Sequence, residues 1–183
     1  MKNKFGVKKV FFTTFLILIT MSALNSCKTS KELVTVKEVD IDKYLGTWYE
    51  IARLPNSFEK DMKCVTATYS MKDNGKIKVL NKGFKTTKNK FSTAKGVAWV
   101  PNSDFPAQLK VSFFWPFAGN YFIIELDDNY NYALVGDPSR KYLWILSRTP
   151  ELEESIYNEL ITIANNNGFE TETLIKTEQD CEN

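Results

Sequence analysis

The chain holds three cysteines and no histidine, and those two counts restrict its chemistry. Without histidine the Ser–His–Asp and Cys–His arrangements are unavailable, as is the commonest general base. A zinc set fails too, because no third cysteine lies near Cys64 or Cys181. The adjacent acids Asp127–Asp128 and Glu153–Glu154 fall in a turn and on a helix surface, where solvation is the ordinary fate of carboxylates. Cys64 could serve as a nucleophile only as a free thiol. No catalytic residue, metal or cofactor is expected. Binding chemistry remains, in a chain that is 43% hydrophobic and 14% aromatic.

Cys27 has a different role. Lys2, Lys4, Lys8 and Lys9 precede "VFFTTFLILITMSAL", an uncharged run over 10–24 that is shorter than the roughly 20 residues of a spanning helix. This is the layout of a secretory signal over 1–26. It ends in "LNSC", small residues before a cysteine, which resembles the lipobox of bacterial lipoproteins and makes Cys27 the expected site of lipidation. Lys28 follows, where an aspartate would suggest retention in the inner membrane. Residues 27–40 then read as a lipidated N-terminus and polar tether, and 41–183 as the folded domain. The formal charge of +2 includes the four lysines of the signal; without them 20 basic residues face 22 acidic ones. Such a domain has no field for nucleic acid. In an exported chain, Cys64 and Cys181 favour disulfide bonding over metal binding or catalysis.

The elements behind these residues follow from periodicity. Alternation at period two runs from 46 to 149, interrupted by turn chemistry every 8–12 residues, which predicts an all-β sandwich or barrel. Eight strands are expected, at 47–54, 64–71, 76–84, 92–100, 107–115, 120–127, 130–137 and 141–149. Asp73-Asn74-Gly75 marks a tight hairpin. No helix of crossover length separates the strands, so the sheet must be antiparallel. Closure into an eight-stranded up-and-down barrel removes its edges. After Pro150 the period changes. Ile156, Leu160, Ile163 and Ala164 share one face of an amphipathic helix ended by Gly168, expected to pack outside the barrel.

Gly46-x-Trp48 opening the first strand, Arg148 closing the eighth and a helix beyond together resemble the lipocalins. The likeness spans roughly 38–181 and is nearest the branch of the outer-membrane bacterial lipocalins and apolipoprotein D. "YLGTWYEIARLP", "ATYSMKDNGKIKVLNKGF", "LKVSFFWPF" and "YLWILSRTP" carry it. The block between strands six and seven departs from the family's Thr-Asp-Tyr, reading Asp127-Asp128-Asn129-Tyr130. The resemblance implies a lipocalin calyx whose base Trp48 plugs, with Arg148 laid over the indole as a cation–π lid and Gly46 allowing close packing. It also implies a Cys64–Cys181 disulfide pinning the C-terminal segment to the barrel. Tyr69, Asn81 and Phe113 are implied at the pocket, and parity with Arg148 adds Trp144 and Leu146. Asn81, a polar amide facing an apolar cup, needs a partner.

The open end carries the connections 55–63, 85–90, 116–119 and 137–140. Seven lysines and no acid occupy 74–103, and Phe114, Trp115 and Phe117 fall near the same rim. That combination suits a lipid head group or membrane surface, and equally a soluble edge guarded by lysines. The leading reading is a non-enzymatic carrier, lipid-anchored in the bacterial outer membrane, holding a fatty acid or lysophospholipid. A lipocalin-fold enzyme and a structural envelope lipoprotein are the alternatives. The sequence leaves the oligomeric state open, a homodimer included.

Overall fold

The computed structural model describes residues 32–181. A short helix, α1 (Ile41–Tyr44), leads into β1 (Gly46–Arg53), β2 (Met62–Met71), β3 (Ile77–Lys85) and β4 (Lys90–Trp99). The meander continues through β5 (Gln108–Phe114), β6 (Phe117–Leu126), β7 (Tyr132–Gly136) and β8 (Leu143–Ser147). Each strand pairs antiparallel with the next, and β1 pairs with both β8 and β2, which closes the barrel. The eight expected strands all form, with ends displaced by no more than three residues. At the Asn74–Gly75 turn, Gly75 N–H donates to Lys72 O at 2.9 Å.

Alternation sorts the apolar residues into two clusters. Along β7, Ala133 and Val135 face inward with Trp48, Val79 and Leu109, while Leu134 faces outward. The outward set of Leu134, Leu143 and Ile145 meets Tyr157, Leu160 and Ala164 of α2 (Glu154–Asn166). Tyr157 therefore joins the buried face, while the expected Ile156 and Ile163 are partly buried at its flanks. The helix covers apolar surface on the barrel's outside, the usual source of helix stability in a folded domain.

Two segments differ from expectation. Residues 32–40, expected as part of the polar tether, lie along the barrel: Leu33 is buried and Val36 N–H donates to Ile123 O at 3.1 Å. Leu33, Val36 and Val39 recur at every third residue and pack, although charged neighbours make the stretch look solvated. The C-terminal tail also holds a ninth strand, β9 (Ile175–Lys176), paired antiparallel with Ala52 and Arg53 of β1. β1 pairs with β2 only over 46–49. The tail occupies the gap beyond: Thr177 N–H bonds Ile51 O, Gln179 Nε2 bonds Glu50 O and Val65 O, and Cys64 N–H bonds Glu178 O. Backbone groups left by the splayed strands are satisfied there. The Cys64–Cys181 disulfide, with Cα atoms 6.1 Å apart, fixes the tail's end.

Candidate ligand-binding site

The barrel's closed end is built in layers. Gly46 enters at φ +95°, and a Cβ there would sit 3.2 Å from Arg148 Nη1. Arg148 lies 3.9 Å from the centroid of the fully buried Trp48 ring. Its guanidinium also donates to the carbonyls of Lys43, Thr47 and Tyr130, at 2.7, 3.1 and 3.1 Å. Trp48 Nε1 donates to Tyr44 O at 2.9 Å, and the Tyr44 ring packs on the indole with centroids 4.9 Å apart and planes tilted by 33°. The floor seen from inside is therefore tyrosine. Tyr44 and Tyr121 hydroxyls are 2.7 Å apart, and Tyr69 donates to Tyr121 at 3.0 Å. Burial raises all three phenols, Tyr69 to about 12 and Tyr44 and Tyr121 well above their ordinary value. Three hydroxyl protons serve two contacts, so one proton has no partner among the three.

Above this floor is a cavity of about 650 Å³, within the usual range for a small-molecule site. Tyr69, Asn81, Phe113, Trp144 and Leu146 all line it, together with Ile77, Val79 and Val111. Phe113 fits because Gly96 has no side chain: a Cβ there would lie 2.9 Å from the Phe113 ring. Asn81 Oδ1 is buried and bonded to nothing. Tyr69 sits where expected, but its proton goes to Tyr121 rather than into the cavity.

A buried ionic network lies in the wall towards the mouth. A register shift between Glu50 and Ala52 turns both Glu50 and Arg53 to the same side of β1. Arg53 Nη1 donates to Glu50 Oε1 at 2.5 Å and to Thr177 Oγ1 at 2.9 Å, and Nη2 donates to Glu59 O at 2.9 Å. Glu59 Oε2 accepts from Asn56 Nδ2 at 2.6 Å and Trp144 Nε1 at 3.1 Å. Burial, then the charge of Glu59, push the Glu50 carboxyl up to about 7, opposed by Arg53. Two buried acids thus share one guanidinium.

The mouth is aromatic. Phe114, Trp115 and Phe117 in the β5–β6 hairpin are 81%, 86% and 77% exposed. Of the lysines expected at the rim, Lys85 is committed to Asp61 and to the Lys60 carbonyl; Lys82, within β3, holds its Nζ 4.2 Å over the Phe91 ring.

A lipocalin-like domain model matches residues 39–179. The chain belongs to the lipocalin family. It is 44% identical to the outer membrane lipoprotein Blc of Vibrio cholerae over 90% of this chain and 97% of that one. Bovine apolipoprotein D is 36% identical over 76% of this chain and 77% of its own length. Among solved structures, insecticyanin from the tobacco hornworm superposes with a TM-score of 0.65 at 22% identity, covering 80% of this chain and 84% of that one.

Sequence reasoning about this lipocalin missed Tyr44, Tyr121 and the Glu50–Arg53–Glu59 network. One signal for Tyr44 was present: Asp40 caps α1, its Oδ1 accepting from the N–H groups of Asp42 and Lys43, and aspartate is among the preferred N-cap residues. Nothing local marks the register shift that turns Arg53 inward. Cys27 and the segment 1–26 lie outside the described residues.

Proposed function

We propose that this lipocalin is an envelope lipoprotein, anchored to the outer membrane through Cys27, that holds single-chain amphiphiles such as fatty acids or lysophospholipids without altering them. The observation that carries this reading is the cavity itself: about 650 Å³, largely apolar in its wall and sealed below by tyrosines, Trp48 and Arg148. An acyl chain would run along Val79, Val111, Phe113 and Leu146, and the head group of a lysophospholipid would lie towards Glu59 and Trp144. The names of the bacterial relatives support the location, and the "LNSC" motif supports the anchor.

Native mass spectrometry of the protein taken from its own membranes, with extraction of the bound lipid, tests the reading. One chemically unchanged single-chain lipid per barrel is expected, and palmitate added to the emptied protein should alter tryptophan fluorescence through Trp144. A barrel that arrives empty and leaves palmitate unbound would overturn it. For the anchor, Cys27→Ser should move the folded domain out of the membrane fraction; retention there after a salt wash would refute lipidation at Cys27.

A further inference from the structure

Phe58, Tyr142 and Trp144 form a nearly equilateral triangle of rings at the cavity mouth, with centroids 5.8, 6.0 and 6.4 Å apart. All three line the cavity, as does Glu59. Glu59 is 7% exposed, and its carboxylate is tied to the triangle through Trp144 Nε1. We propose that these four residues form a subsite for the ammonium group of a zwitterionic lipid head. The inference rests on the lipid-carrier reading and specifies which end group the mouth selects.

The chemistry favours a cation over an anion. Aromatic faces carry negative potential, and a cation within about 6 Å of a ring centroid is attracted to it, more strongly where water is excluded. The Glu59 carboxylate adds a full charge beside the rings. That charge is incompletely offset: Arg53 spends Nη2 on the Glu59 backbone carbonyl, and its Nε, 3.9 Å from Oε2, makes no hydrogen bond. The whole cavity lining points the same way. Its acids are Glu50, Glu59 and Asp137 against Lys82, with Glu50 paired to Arg53 and the Lys82 ammonium over Phe91. A bare carboxylate entering the mouth would meet like charge. A wall needed only for an acyl chain would gain nothing from a buried carboxylate, which is costly to desolvate.

Three lipids with the same sixteen-carbon chain separate the contributions: lysophosphatidylcholine, lysophosphatidylglycerol and palmitate, added to the delipidated full chain and followed by native mass spectrometry. The choline head should bind about tenfold more tightly than the glycerol head, the scale of a partly desolvated cation–π site. Phe58→Leu keeps an apolar side chain but removes the ring, and Phe58 is 55% exposed, so folding is not at stake. It should reduce the choline preference to about threefold or less and leave the glycerol head unchanged. Glu59→Gln should act in the same direction. Equal affinity of the unaltered protein for the two heads, or equal weakening of both by Phe58→Leu, would overturn the subsite while leaving the carrier reading intact. Failure of all three lipids to bind would overturn both.

Discussion

Replacing Asn81 with leucine should stabilise the empty protein and weaken its hold on a lipid that offers a hydrogen-bonding group. Asn81 pairs in register with Ala67 on one side and Ala94 on the other, so small neighbours leave its carboxamide at the cavity wall. Its Oδ1 is buried with no partner. Burying such an acceptor unpaired costs about 1–3 kcal/mol, and leucine of similar size removes that cost. For a chain of this length each kcal/mol moves Tm by about 2–4 °C, so Asn81→Leu should raise Tm by about 2–12 °C. Calorimetry of delipidated protein with its disulfide intact is the assay. The second half of the prediction concerns the ligand. The amide can turn about its broad χ2 well to meet a carbonyl or hydroxyl, and losing one such bond costs about 0.5–1.5 kcal/mol, or roughly 2- to 13-fold in affinity. A Tm that falls by several degrees would show that the carboxamide is already satisfied within the protein. Unchanged affinity in a stabilised variant would show that no occupant uses it.

Other outcomes follow from the same structure. Trp48→Ala should cost about 3–5 kcal/mol in a urea melt, because it removes the support beneath Tyr44 and the surface under Arg148. Cys181→Ser, which opens a loop of 117 residues, should cost about 2–5 kcal/mol by the same measurement. Glu50 has a folded pKa of about 7 against an ordinary value of 4.5, because of burial and then Glu59. The folded state therefore binds the extra proton in that window. The stability contributed by Glu50 is full below about pH 4.5 and is lost as pH rises through about 7. Thermal melts from pH 4.5 to 8 should show this decline, and Glu50→Gln should flatten it; an unchanged slope would assign the decline to another group.

The barrel was legible in the sequence because period-two alternation and turn residues are local signals, and the Trp48–Arg148 pair because its motif sits at the ends of the first and last strands. Parity along β8 likewise placed Trp144 and Leu146 on the cavity wall. The missing parts depend on contacts distant in sequence. Glu50 shares the inward parity of Trp48, but Arg53 looks like an ordinary strand charge until a shift in the β1–β8 register turns it to the same side and Thr177, 124 residues beyond Arg53, reaches both. Tyr121 gains its meaning only from Tyr44 and Tyr69. The rim lysines suggested attraction of a lipid head group, but Lys85 is already engaged with Asp61, and the acids that line the cup come from elsewhere in the chain.

The contacts of the acid network converge on the tail. Thr177 Oγ1 donates to Glu50 Oε1 and accepts from Arg53, Gln179 bridges the carbonyls of Glu50 and Val65, and two residues later Cys181 is bonded to Cys64. The tail therefore fills the gap between β1 and β2 and also supplies the polar partners that allow a carboxylate to be buried behind a lipid cavity. Without those partners Glu50 would face Arg53 with fewer hydrogen bonds, and Glu59 would lose the fixed guanidinium that positions its backbone. The disulfide supports this arrangement directly. Its loss should be felt at the acid wall and the mouth above it before it is felt at α2, whose contacts with Leu134, Leu143 and Ile145 form a separate cluster on the outside of the barrel.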